Sequence, residues 1–267
     1  MDMIQDFLFD GQTLSGFGYM ICSFDSSGGD STASVSDMSY TEIKSPLSDT
    51  SHKVSASYEN NLSRTIQICK KTCDDSNYNI TIDELSELSR WLCRKDYKWF
   101  KWIDDEADDE IFYQVHITLK KIEIGNNTVG FELDIISNRP YGVTNEIRVS
   151  YSDAANSPIC LDVYSDDEGY IYPDIRINVK ENGTLKITNH YENRTTQINN
   201  CKSGEIITIY GNDVRQIISD AKHDLSADFN YIFPRLCCRY RQSVNEITIN
   251  LNCDIEIKYR GIRKAGM

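Results

Sequence analysis

Several things are scarce in this 267-residue sequence, and each scarcity closes off a class of protein. No apolar run approaches the roughly 20 residues needed to cross a bilayer, so no membrane insertion is expected. The opening residues, Met1-Asp2-Met3-Ile4-Gln5-Asp6, are acidic where a secretion signal is basic, and no apolar segment follows them. Synthesis in the cytoplasm is the expectation. Nine cysteines include no Cys-x-x-Cys pair; Cys69-x-x-x-Cys73 and Cys237-Cys238 are the closest spacings. Without a secretion signal they read as small buried thiols. The four histidines stand apart from any cysteine array, so no metal site is expected. Positive charge is short as well: 28 Lys and Arg face 41 Asp and Glu, a net charge of −13. Tight phosphate binding draws on Lys and Arg, so no specific nucleic-acid binding is expected. Catalytic motifs are missing: no Gly-x-Ser-x-Gly elbow, no P-loop, no His-Glu-x-x-His. Gly16-Phe17-Gly18 is too short for a dinucleotide fingerprint and precedes a strand. His52, His116, His190 and His223 have no neighbouring Ser or Cys arrangement that suggests a triad, although a triad assembled in space leaves no local mark. No catalytic residue and no cofactor is expected.

What is present is a β-rich pattern cut by turns. Phe131-Glu132-Leu133-Asp134-Ile135 alternates apolar and acidic residues as a half-buried strand does. Ser137-Asn138-Arg139-Pro140-Tyr141-Gly142 then breaks the alternation. Pro140 lacks an N–H donor and biases Arg139 away from helix, while Gly142 frees the backbone to turn. A hinge near residue 140 is expected, between a β-rich domain 1–140 and a second domain 141–267; the length also exceeds what one core usually serves. Residues 1–140 carry 24 acids and 13 bases, residues 141–267 carry 17 and 15, so the acidity belongs to the first domain.

In the first domain Phe7-Leu8-Phe9 is a predicted strand closed by an Asp10-Gly11 turn, and Tyr19–Phe24 is another. Ser26–Ser36, rich in Ser, Gly and Asp, reads as an exposed loop. Lys53–Tyr58 and Leu62–Lys70 are predicted strands with a hairpin-length join, Glu59-Asn60-Asn61. Thr81-Ile82-Asp83-Glu84 is a capping box that opens one helix over 81–94. Leu85, Leu88 and Leu92 form its apolar face, with Trp91 at the edge. Tyr97, Trp99, Phe100 and Trp102 lack a basic field for stacking bases and are expected to fill the gap between helix and sheet. The run Asp104–Glu110 lacks the Gly of a calcium loop and reads as solvated. An alternating strand, Ile111–Leu119, leads to a predicted hairpin of Lys121–Ile124 and Val129–Ile136 across residues 125–128.

In the second domain strands are predicted at Glu146–Tyr151, Asp174–Val179, Thr184–Thr188, Glu205–Tyr210, Asp228–Phe233, Glu246–Asn250 and Asp254–Tyr259. Asn182-Gly183 is the strongest hairpin signal, and Val214–Ala221 reads as a brief helical turn. The expected fold class is mainly β, with two packed antiparallel sheets, a jelly roll or related sandwich, in the C-terminal domain. Residues alone give a two-domain binding or structural protein.

Several stretches carry a resemblance. Phe7-Leu8-Phe9-Asp10-Gly11, Phe17-Gly18-Tyr19-Met20-Ile21-Cys22 and Phe24-Asp25 resemble the start of phage distal tail proteins. Ser137-Asn138-Arg139-Pro140-Tyr141, Ser165 to Pro173, Asp228-Phe229-Asn230-Tyr231 and Arg263-Lys264-Ala265-Gly266 resemble a clostridial-type branch of that family. The resemblance implies a homo-hexameric ring at the tip of a long non-contractile tail. In it a ring-forming domain encloses a channel for DNA, and a galectin-like sandwich projects outward. Tail tube, tail hub and receptor-binding proteins are the implied partners, and the virion tail tip the implied location. Arg235, Arg239, Arg241, Arg260, Arg263 and Lys264 are candidate contacts for an acidic partner. The alternative is a carbohydrate-binding sandwich, with Tyr164, Tyr170 and Tyr172 as candidate glycan contacts. A glycosidase using Asp108 or Asp109 is a third, remote reading.

Overall fold

The computed structural model describes residues 6–24, 36–45, 49–71, 78–103, 110–211 and 214–267. Its strands divide between two units, Met1–Val143 with Lys264–Met267, and Thr144–Arg263.

The strands of the first unit are β1 (Asp6–Phe9), β2 (Gln12–Thr13), β3 (Tyr19–Cys22), β4 (Met38–Lys44), β5 (Ser51–Tyr58), β6 (Ser63–Lys70), β7 (Lys98–Ile103), β8 (Tyr113–Ile124), β9 (Asn127–Ser137) and β10 (Gly142–Val143). Seven of them form one antiparallel sheet in the order β2-β1-β7-β8-β9-β6-β3. Two-residue turns set the register where both residues adopt left-handed backbone: Asp10 and Gly11 (φ 49° and 79°), then Gly125 and Asn126 (φ 58° and 69°). The second turn is shorter than the four-residue join predicted. One face of the sheet buries Phe7, Phe9, Phe100, Phe131, Leu133 and Ile135.

Helix α1 (Ile82–Leu92) covers that face with Leu88, Trp91 and Leu92. Its capping box is formed: the Thr81 N–H donates to Glu84 Oε2 (2.8 Å) and the Glu84 N–H to Thr81 Oγ1 (3.3 Å). Trp91 is central rather than marginal. Its indole N–H donates to the Phe9 carbonyl (3.0 Å), and its ring stacks on Phe17 at 4.1 Å. Residues 98–103 are a strand, so their rings alternate between faces. Phe100 and Trp102 pack in the core, whereas Tyr97 and Trp99 stand exposed, against the expectation that all four would fill it.

Two further expectations fail here. β5 and β6 are no hairpin, because β5 pairs with β4 in a separate ribbon and β6 lies between β9 and β3. Gly142 is required by packing, not by turning: a Cβ there would sit 2.4 Å from Ile111 Cγ2 and 2.8 Å from Tyr113 Cε1. Most of the predicted Ser26–Ser36 loop, the acids Asp104–Asp109 and Cys73 lie outside the described residues.

The second unit contains β11 (Ile147–Tyr151), β12 (Ile159–Ser165), β13 (Gly169–Ile171), β14 (Asp174–Val179), β15 (Gly183–Asn189), β16 (Arg194–Cys201), β17 (Ile206–Tyr210), β18 (Gln216–Ser219), the short helix α2 (Leu225–Asp228), β19 (Leu236–Cys238), β20 (Arg241–Ile249), β21 (Cys253–Tyr259) and β22 (Ile262–Arg263). A five-stranded sheet, β11-β21-β14-β17-β18, and a four-stranded sheet, β12-β20-β15-β16, share a core of Leu161, Val163, Ile177, Ile187, Ile207 and Ile257 among others. The predicted sandwich is present, with different joins. Asn182-Gly183 links strands of opposite sheets instead of closing a hairpin; Asn182 Oδ1 accepts from the Ser203 N–H, and Glu181 Oε1 from the Asn252 N–H, both at 2.8 Å. The predicted helical turn at 214–221 contains β18; the helical turn found is α2 at Leu225–Asp228, and the strand predicted at Asp228–Phe233 is replaced by the end of that helix and irregular chain.

The eight described cysteines form no disulfide with one another. Four are buried, and burial pushes the Cys201, Cys238 and Cys253 thiols up to about 11. Cys93 and Cys160 are exposed, contrary to a uniformly buried set.

Candidate functional site

The first unit carries an unusual surface in the ribbon of β4 and β5. It is antiparallel, with Met38 opposite Tyr58 and Lys44 opposite Ser51, and a bulge at Thr41/Glu42. Every residue from Tyr40 to Lys44 and from Ser51 to Ser57 is exposed. That includes Tyr40, Ile43 and Val54, at 54%, 61% and 59%. Its base is tied down by the Glu59 N–H donating to the Asp37 carbonyl (2.9 Å) and by the Ser36 hydroxyl donating to the Asn60 carbonyl. A lone two-stranded ribbon is marginal in water, and its unpaired edges are templates for another chain. Among the described residues a second unpaired edge is β3, the last strand of the seven-stranded sheet, which exposes Met20. No sequence signal marked the ribbon as a surface, since its side chains show no burial periodicity.

The six basic residues singled out from sequence are dispersed. Arg235 is committed within the second unit: it grips Glu192 (Nε to Oε1 2.8 Å, Nη2 to Oε2 2.6 Å) and lies 3.4 Å over the Tyr170 ring. That hydrogen-bonded pairing holds the Glu192 carboxyl below its usual range. Arg239 stacks over Tyr191 at 5.4 Å, Arg260 donates to the Thr144 carbonyl (2.9 Å), and Arg263 pairs with Asp166 (3.3 Å). Arg241 is exposed at φ 76°, and Lys264 lies over Tyr58 in the first unit. Tyr170 joins Tyr191, Glu168 and Arg239 around a shallow groove of about 440 Å³. Tyr172 is covered on one face by Arg215 (4.0 Å), and Tyr164 stands exposed on β12, outside that groove.

Sequence reasoning missed a buried ionic cluster in the second unit. The His223 side chain, 5% exposed, places Nδ1 2.6 Å from Glu205 Oε1 and Nε2 3.2 Å from Asp228 Oδ2. Glu205, with its side chain fully buried, also accepts from the Ser219 hydroxyl (2.6 Å) and the Lys202 N–H (2.8 Å). Burial opposes the charge on both groups and is outweighed on both: Glu205, with Asp228, raises His223, while the Ser219 hydroxyl, the Lys202 N–H and then His223 lower Glu205. The Ser219 hydroxyl of this cluster is spent on Glu205, and no group of three or more metal-ligating side chains is assembled among the described residues.

Residues 3–139 match a family described as phage tail protein N-terminal domain, and residues 141–259 one described as phage tail C-terminal domain. The chain belongs to this phage tail protein family. No curated protein matches it. Among solved structures, the phage tail protein is similar to SPP1 Dit, described as a paradigm of the hub adsorption apparatus of phages infecting Gram-positive hosts. That likeness has a TM-score of 0.60 at 10% identity and covers 97% of this chain and 99% of SPP1 Dit. It is also similar to a chain of the phage P2 baseplate in its activated conformation with calcium, at a TM-score of 0.52 and 9% identity, covering 98% and 99%. At such identities the likeness is one of fold. The phage tail protein therefore has the fold of siphophage distal tail and baseplate hub proteins across nearly its whole length.

Proposed function

We propose that this structural phage tail protein is a distal tail protein whose copies close into a hexameric ring at the tail tip. The ring joins the tail tube to the hub and receptor-binding machinery and leaves a channel for DNA. The observation that carries the reading is the β4–β5 ribbon, whose exposed Tyr40, Ile43 and Val54 have no core of their own to enter. A head-to-tail contact that places this ribbon on a neighbouring copy, repeated to closure, generates a ring. The fold shared with SPP1 Dit adds support. The acidic excess of residues 1–140 suits a channel lining that passing DNA does not stick to. A sugar-binding reading is less well supported, because Arg235 and Arg215 already cover one face of Tyr170 and of Tyr172.

Light scattering on the full chain tests the ring: six copies per particle are expected. The double variant Ile43→Lys, Val54→Lys should unfold within about 0.5 kcal/mol of the parent, because both positions are exposed, yet fail to assemble. A double variant that assembles like the parent sinks the role given to the ribbon.

A further inference from the structure

Beside the open edge of the first unit lies a half-enclosed pocket of about 220 Å³, lined by Phe17, Tyr19, Lys70, Glu84, Glu87 and Leu88 among others. Three observations give it a chemical character. The Tyr19 side chain is buried, 5% exposed as a residue, and its hydroxyl has no hydrogen-bond partner. Native proteins leave few such groups unsatisfied, so a buried lone phenol calls for a partner.

The charges do not balance either. Lys70 Nζ is held by Glu84 Oε1 (2.8 Å) and the Asn79 carbonyl (2.9 Å), and its side chain is 10% exposed. The other oxygen of Glu84 accepts from the Thr81 N–H and hydroxyl at 2.8 and 3.0 Å. Glu87, exposed on α1, is left over, so the pocket has two carboxylates against one ammonium. Phe17 and Leu88 supply the apolar flanks along which the methylenes of a long charged side chain lie.

The position decides whose side chain it is. Among the described residues Tyr19 opens β3, the outermost strand of the seven-stranded sheet, an edge of the kind to which a further copy adds. We propose that the pocket receives a lysine or arginine side chain from a neighbouring copy of this chain, with Glu87 as its counter-ion and the Tyr19 hydroxyl as an acceptor. This inference rests on the ring reading, and it adds a specific lock between subunits to the ribbon contact.

Sedimentation equilibrium of the full chain compares the parent with Glu87→Lys and Tyr19→Phe, and thermal unfolding is followed in parallel. Glu87→Lys should weaken self-association about tenfold or more, since it sets like charges together, with the unfolding temperature unchanged. Tyr19→Phe should weaken it about threefold, the effect of one hydrogen bond. If the parent assembles and both variants assemble as tightly, the pocket inference falls and the ring reading stands. A parent that stays monomeric at every concentration overturns the ring reading and this lock with it. Should Glu87→Lys abolish binding of a different tail protein while self-association is untouched, the occupant is wrong and the inference is overturned.

Discussion

Replacing His223 with leucine should destabilise the second unit severely, and by an amount that the cluster's geometry bounds. His223 fills a site between a fully buried Glu205 side chain and an Asp228 side chain that is 18% exposed. Removing one partner of a buried ion pair typically costs about 3–5 kcal/mol, because a charge is left without compensation. Glu205 keeps the Ser219 hydroxyl and the Lys202 N–H, which places the loss at the lower end, about 3 kcal/mol. For a unit of this size the unfolding temperature should drop by roughly 10 °C. The sign of the pH dependence is fixed by the same contacts. His223 is raised in the folded chain, so its contribution is complete below the unfolded value of about 6.5 and is lost as pH climbs through the folded value. Glu205 is lowered, so its contribution is present above the unfolded carboxylate range and is lost as pH falls through its folded value. Calorimetry of the full chain between about pH 3 and about pH 9 reads both limbs as movement of the second-unit transition. The alkaline decline should be absent in His223→Leu, and adding Glu205→Gln should recover part of the loss by removing the orphan charge. A parent whose second-unit transition is as high at pH 9 as at pH 6, or a His223→Leu cost below about 1 kcal/mol, would refute the reasoning.

Two smaller perturbations test the scaffold. Gly261→Ala would bring a Cβ to 1.9 Å from the Tyr164 carbonyl oxygen, a backbone atom that cannot swing aside; a loss of about 3 kcal/mol is expected in urea unfolding. Thr81→Ala removes the acceptor for the Glu84 N–H and should cost about 1 kcal/mol, seen as loss of first-unit stability by circular dichroism.

How much of this was legible in the sequence depended on whether a segment's neighbours were local. Helix α1 was readable because its capping box and leucine stripe are complete within a dozen residues. Strands β8 and β9 were readable because one face is buried and a Gly-Asn turn joins them. β4 left no trace, since an exposed ribbon has no inward face to impose alternation. Asn182-Gly183 marks a reversal of the chain but not the sheet in which the next strand lands, and here the chain crosses the sandwich. β18 has four residues, with its outer positions polar or exposed, too few for a period to declare itself. The His223 cluster draws on residues from separate segments, so only the folded arrangement brings its charges together. Gly142 was read as a point of freedom, whereas the side chains that exclude a Cβ come from β8 and the segment before it.

The segment Lys264–Met267 belongs to the first unit, where Met267 is buried and the Tyr113 hydroxyl donates to the Gly266 carbonyl (2.9 Å). On the ribosome, that unit must wait for its final piece until all of Thr144–Arg263 has been translated. The sandwich in turn needs β21, which lies between β11 and β14, so both units await nearly the same late stretch of chain and the earlier-made module gains no head start in completing its fold.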